Sequence, residues 1–114
     1  MAYNEQLADR VRKRLSKLPK QKITEKKMFG GLAFLVNGKM CINISGANLM
    51  CRFAPDIEAE VQKRKGYLPM IMKGKIYKGY GYVEPIGFKT EKDFEYWINL
   101  CLDFNEKAKS SKKD

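Results

Sequence analysis

Ala33-Phe34-Leu35-Val36-Asn37-Gly38-Lys39-Met40-Cys41-Ile42 is the stretch on which the fold turns. Two apolar runs meet at Asn37-Gly38, a pair that tolerates the positive φ angles of a type I′ turn, so the stretch reads as a tight β-hairpin. That turn sets Val36 opposite Lys39, Leu35 opposite Met40, Phe34 opposite Cys41 and Ala33 opposite Ile42. Alternation then gathers Ala33, Leu35, Met40, Ile42 and Ile44 on one face. A second turn at Ser45-Gly46-Ala47-Asn48 leads to Leu49, Cys51 and Phe53, which extend this face, and it is expected to be the core. The opposite face holds Leu32, Phe34, Val36, Cys41, Asn43, Met50 and Arg52. It is too apolar for a solvated surface and needs cover from a later segment or a second subunit. Exposed, it would mark an interaction site with Leu32, Phe34 and Met50 as interface candidates.

Outward from the hairpin the periodicity becomes helical. Asn4 can cap a helix whose stripe is Leu7, Val11, Leu15 and Leu18, stopped by Pro19. On the C-terminal side, Pro55 with Asp56, Glu58 and Glu60 starts a second helix, ended by Gly66. Tyr67 to Met72 is extended, Gly74 and Gly79 bracket a turn, and Tyr80 to Val83 is a further strand. Thr90-Glu91-Lys92-Asp93 resembles a capping box. It opens a last helix with Phe94, Trp97, Ile98, Cys101 and Leu102 on one stripe. The order is α-β-β-β-β-α-β-β-α, which predicts an α+β fold with an antiparallel sheet and helices packed mainly on one face. Residues 1–105 form a single domain in this reading, and 106–114 a polar basic tail expected to be disordered.

The chain has 114 residues and a net charge of +10, unevenly spread. Residues 1–28 carry nine basic against three acidic side chains, and 61–80 carry six basic and none acidic. Such asymmetry can attract nucleic acid or an acidic partner. The candidate surface is Arg10, Arg12, Lys13, Arg14 and Lys17 on the first helix with Lys73, Lys75 and Lys78 farther on. No apolar run suggests a leader or a membrane span. Cys41, Cys51 and Cys101 sit within apolar periodic segments and read as reduced thiols packed as small hydrophobes, which fits a cytoplasmic location.

Much chemistry is absent from the composition. The chain has no histidine, which removes histidine bases, histidine-activated nucleophiles and histidine metal ligands. Three separated cysteines fall short of the four ligands of a structural zinc site. Gly30-Gly31 lacks the Gly-Lys-Ser/Thr context of a phosphate loop. Asp56, Glu58 and Glu60 stand where helix-start acids belong. No catalytic residue, metal site or cofactor is therefore expected. Lys78-Gly79-Tyr80-Gly81-Tyr82-Val83 looks like an RNA-recognition strand motif, but such a motif needs a helix where Asn37-Gly38 turns the chain straight back. Base stacking by Tyr80 and Tyr82 in another fold stays open.

Thr24-Glu25-Lys26-Lys27-Met28-Phe29-Gly30-Gly31-Leu32-Ala33-Phe34, with Asn37-Gly38-Lys39-Met40-Cys41 and Leu49-Met50-Cys51-Arg52, resembles the N-terminal domain of the TfoX/Sxy family. Pro69-Met70, Lys78-Gly79-Tyr80, Val83-Glu84-Pro85 and a closing helix with Trp97 fit in order. The resemblance implies a secretion-chaperone-like α+β domain, a short single-domain bacterial member, and a non-enzymatic regulatory module. Long members regulate natural competence with a cyclic-AMP-dependent transcription activator and carry a second domain. Expected partners are a protein or a second copy of the chain, with nucleic acid a further candidate. Met28, Phe29, Gly30 and Gly31 form the family signature, read as structural because paired glycines permit close packing.

Overall fold

The structure is a computed structural model that describes residues 3–18, 21–28 and 31–106. Helix α1 (Glu5–Leu15) is followed by strands β1 (Ile23–Met28), β2 (Gly31–Val36), β3 (Lys39–Ser45) and β4 (Asn48–Arg52). A 3-10 turn (Pro55–Ile57) runs into the short helix α2 (Glu58–Val61), then β5 (Tyr67–Met72), β6 (Lys75–Val83) and helix α3 (Glu91–Asn105). The expected order is the observed one. All strand pairs are antiparallel, in the order β1-β2-β3-β4-β6-β5.

The helix ends form where the sequence places them. Asn4 Oδ1 accepts from the Leu7 amide at 2.9 Å, and Thr90 Oγ1 accepts from the Asp93 amide at 3.1 Å. Each satisfies an amide that the first helical turn leaves without a partner. The second helix is shorter than the Pro55–Gly66 span suggests, since only Glu58–Val61 is α-helical. The expected stop at Pro19 and the tail from residue 107 onward lie outside the described residues.

The Asn37-Gly38 turn is observed, with φ of 56° and 81°. Its first two pairs, Val36 with Lys39 and Leu35 with Met40, are those expected. The register then slips: Phe34 pairs with Ile42, not Cys41, and Ala33 pairs with Asn43. Cys41 is the extra residue of a β-bulge, which breaks alternation and turns Cys41 and Ile42 to the same side.

The bulge corrects the face assignment. Leu32, Phe34 and Val36 join Cys41, Ile42, Ile44, Leu49, Cys51 and Phe53 in the main core, under Leu7, Val11 and Leu15 of α1 and Phe94, Trp97, Ile98 and Cys101 of α3. Leu32 and Phe34 are therefore buried beneath helices and are not on a free interface. Ala33, Leu35 and Met40, expected in the core, lie on the other face with Asn43 and Met50. Gly31 explains part of the signature sterically. A Cβ there would sit 2.1 Å from the Ile44 carbonyl oxygen, so only glycine permits this approach of β2 to β3. Phe29, Gly30 and the Met28 side chain lie outside the described residues.

Candidate binding groove on the open sheet face

The helices all contribute to the core on one face of the sheet. The other face carries no helix among the described residues. Its floor is Ala33, Met40, Asn43 and Met50, each less than a tenth exposed. Asn43 Nδ2 donates to the Met50 sulfur at 3.7 Å, while Asn43 Oδ1 is buried without a partner. Beside this floor lies a groove of about 430 Å³, lined by Met40, Met50, Met70, Ile71, Met72, Tyr77, Tyr80 and Tyr82.

An irregularity in the last hairpin builds the groove wall. The chain turns at Lys73-Gly74, both with positive φ, so β6 starts at Lys75 and contains Gly79, which the sequence reading put at the end of a turn. Pro69 pairs with Gly81, yet Ile71 pairs with Ile76, so β6 carries three residues more than β5 between these pairs. Gly79 absorbs the surplus with a φ of 96°. Strict alternation would send Tyr77 and Tyr80 to opposite faces. Instead their rings stack, with centroids 5.0 Å apart, and both line the groove.

Glu58 holds this kink from below. Its carboxylate is buried and accepts from the Tyr67 hydroxyl at 2.8 Å, Gln62 Nε2 at 3.2 Å and the Gly79 amide at 3.4 Å. Burial, and then the hydrogen bond to Glu58, push the Tyr67 hydroxyl well above its ordinary pKa, so it stays a donor. Tyr67 also stacks on Trp97 at 5.9 Å, tying the kink to the core. From sequence, Glu58 looked like an ordinary helix-start acid. Its long-range partners Tyr67 and Gly79 were the missing information.

The basic candidates separate in space and in state. Arg10 donates to the Phe88 carbonyl at 2.9 Å, lies 3.5 Å from Glu91 and covers the Phe94 ring at 3.9 Å. Arg12 is bidentate to Glu25, holding that carboxyl below its usual range, and also pairs with Asp9. Arg14 reaches Glu95 at 2.7 Å and Asn99 at 2.8 Å. These three arginines lace α1 to β1 and α3. Of the N-terminal candidates, only Lys13 on α1 and Lys17 in the turn after it form no ion pair among the described residues. Lys73, Lys75 and Lys78 stand exposed on the β5–β6 hairpin, at the opposite edge of the sheet from β1. Lys75 pairs with Met72 of the groove, Lys73 and Lys78 are chain neighbours of the lining residues Met72 and Tyr77, and none of the three forms an ion pair among the described residues. Of the three apolar interface candidates, only Met50 belongs to the open face.

The model of the TfoX N-terminal domain matches residues 13–105, which includes every strand, the whole of α3 and only the end of α1. The chain belongs to the TfoX N-terminal domain family. Comparison with curated proteins and with solved structures found no match. In this TfoX domain the thiols are structural in setting. Cys41, Cys51 and Cys101 are buried and free, and burial raises the pKa of the Cys41 and Cys101 thiols, so both stay protonated and weakly nucleophilic at neutral pH. Among the described residues no group of three or more cysteine, aspartate or glutamate side chains is arranged to hold a metal ion. No helix among them is long and apolar enough to cross a membrane.

Proposed function

We propose that this TfoX domain is a non-catalytic docking module that acts by binding another protein on its open sheet face. The observation that carries the reading is the methionine- and tyrosine-lined groove, continuous with exposed Ile71, Met72, Ile76 and Tyr77. Contiguous exposed apolar surface of this kind marks interaction sites. Methionine is suited to it, because its unbranched, polarisable side chain repacks around different partners. A role in regulating transcription, of the sort associated with competence, is the context that family membership supports, and the free, buried thiols fit a cytoplasmic setting.

Nucleic acid is the second reading, favoured by three tyrosines beside unpaired lysines. Base stacking needs free ring faces. Tyr77 and Tyr80 already stack on each other, and the Arg52 guanidinium lies 5.8 Å from the Tyr80 ring. Thioethers and isoleucine make up much of the remaining wall. These features favour protein.

The test is site-specific photo-crosslinking in the native cell. A benzoyl-phenylalanine at Ile76 should form adducts with a protein, insensitive to nuclease, while one at Glu91 on the helical side should not. Adducts to nucleic acid at Ile76, or equal labelling from both positions, would overturn the reading.

A further inference from the structure

The distribution of charge identifies what kind of segment the groove accepts. Glu25 is the one acidic residue in the six strands. It sits opposite Phe34, so it points to the helical face, where Arg12 neutralises it. The open face consequently has no carboxylate from any strand. Its margins are basic. Lys26 pairs with Ala33 and so shares the open face along β1, and Lys73, Lys75 and Lys78 flank the groove on the far hairpin. No ion pair within the described residues offsets any of these four lysines.

We infer that the groove binds an acidic, amphipathic protein segment, one that places a few large apolar side chains among the methionines while its carboxylates meet the lysine margins. This rests on the docking reading above and names the partner's chemistry. Two features select it. A groove of about 430 Å³ accommodates a few side chains, not a whole domain face. A second copy of this chain would bring its own Lys73, Lys75 and Lys78 against the same lysines, with a charge of +10 on each molecule, and like charges across an interface disfavour that pairing. A carboxylate-bearing segment converts the same charges into attraction, which speeds association and weakens with salt.

The experiment is fluorescence anisotropy with the full chain and labelled synthetic peptides. The probe alternates Leu and Phe with Asp and Glu. One control replaces its acids by Lys, a second replaces its apolar residues by Ser, and the third is a single-stranded oligodeoxynucleotide. Binding of the probe at least about tenfold tighter than any control is expected, with affinity falling as salt rises. The exposed double change Ile71→Glu with Met72→Glu should abolish it without unfolding the protein. The triple change Lys73→Glu, Lys75→Glu, Lys78→Glu should weaken it at least about tenfold and improve binding of the Lys-substituted peptide.

Equal binding of acidic and basic peptides, no binding of the probe, tighter binding of the oligodeoxynucleotide, or a dimer in sedimentation that Ile71→Glu dissociates would each overturn the inference. The two readings fail separately. Groove-specific crosslinking without acidic-peptide binding sinks only the partner chemistry. Loss of groove-specific crosslinking sinks docking itself.

Discussion

The two faces of the sheet are built from similar numbers of apolar residues and behave as opposites. The helical face is sealed: Trp97, Phe34, Phe53 and Phe94 are fully buried, the Trp97 indole donates to the Gly87 carbonyl at 3.1 Å, and the buried Glu58 carboxylate has three donors. The open face has a buried floor, an unpartnered Asn43 oxygen, and a hairpin whose large apolar side chains reach water. A sealed face optimises stability, and its polar groups are matched because an unmatched one is costly. The open face leaves a buried acceptor unmatched and large apolar side chains exposed, as the proposed docking role requires. The contrast also separates two kinds of bulge. The one at Cys41 serves packing, by turning an extra side chain into the core. The one at Gly79 serves the surface, by turning Tyr77 toward the groove.

The sharpest way to break this contrast is paired truncation. Trp97→Ala should lower stability by about 3–5 kcal/mol in urea unfolding, the usual effect of removing a buried aromatic. Tyr77→Ala should leave stability within about 0.5 kcal/mol, as for surface changes. Similar losses from both would mean the open face is part of the core.

Glu58→Ala comes next. It leaves the Gly79 amide without an acceptor and the Tyr67 hydroxyl with only the more distant Tyr80 carbonyl at 3.3 Å, and a loss of about 1–3 kcal/mol is expected. The same variant should loosen the kink, seen as faster amide hydrogen exchange around Gly79 than around Gly38.

Gly79→Ala places a Cβ at a φ of 96° and 3.2 Å from both the Phe53 carbonyl oxygen and Pro55. A loss of about 1–3 kcal/mol follows from strain at this position. Acidic-peptide affinity should drop with it, because Tyr77 loses its orientation. A variant of unchanged affinity would show that the kink does not shape the groove.

The smallest effect has the opposite sign. Asn43→Val removes a buried acceptor that has no donor, so unfolding free energy should stay level or rise by up to about 1 kcal/mol. A clear destabilisation would show that the Asn43 contact with the Met50 sulfur outweighs the unmatched oxygen.

Much of the fold was readable in the chain. Asn37-Gly38 announced its hairpin because few residue pairs tolerate two successive positive φ angles, and Asn4 and Thr90 announced helix starts because the caps are local hydrogen bonds. The groove was only half readable. Met50 was placed on the open face, and Tyr80 and Tyr82 were noticed, but for base stacking. Leu32 and Phe34 went to the wrong face because one bulged residue in β3, Cys41, shifts the rest of β3 by one against β2, so that Ile42 and Ile44 share a face with Phe34 and Leu32 and not with Ala33. Arg10, Arg12 and Arg14 looked like a basic surface because their acceptors, Phe88, Glu25 and Glu95, come from elsewhere in the chain.

By itself the sequence determined the element order, the antiparallel sheet, the stripes of α1 and α3, and the absence of histidine chemistry. Each depends on local φ/ψ preference, short-range periodicity or composition. Only the tertiary structure decided which sheet face is sealed, which cations are already neutralised, and that Tyr77 joins Tyr80 over the methionines. Those outcomes depend on bulges and on partners distant in sequence, where a shift of one residue reverses the side a side chain faces.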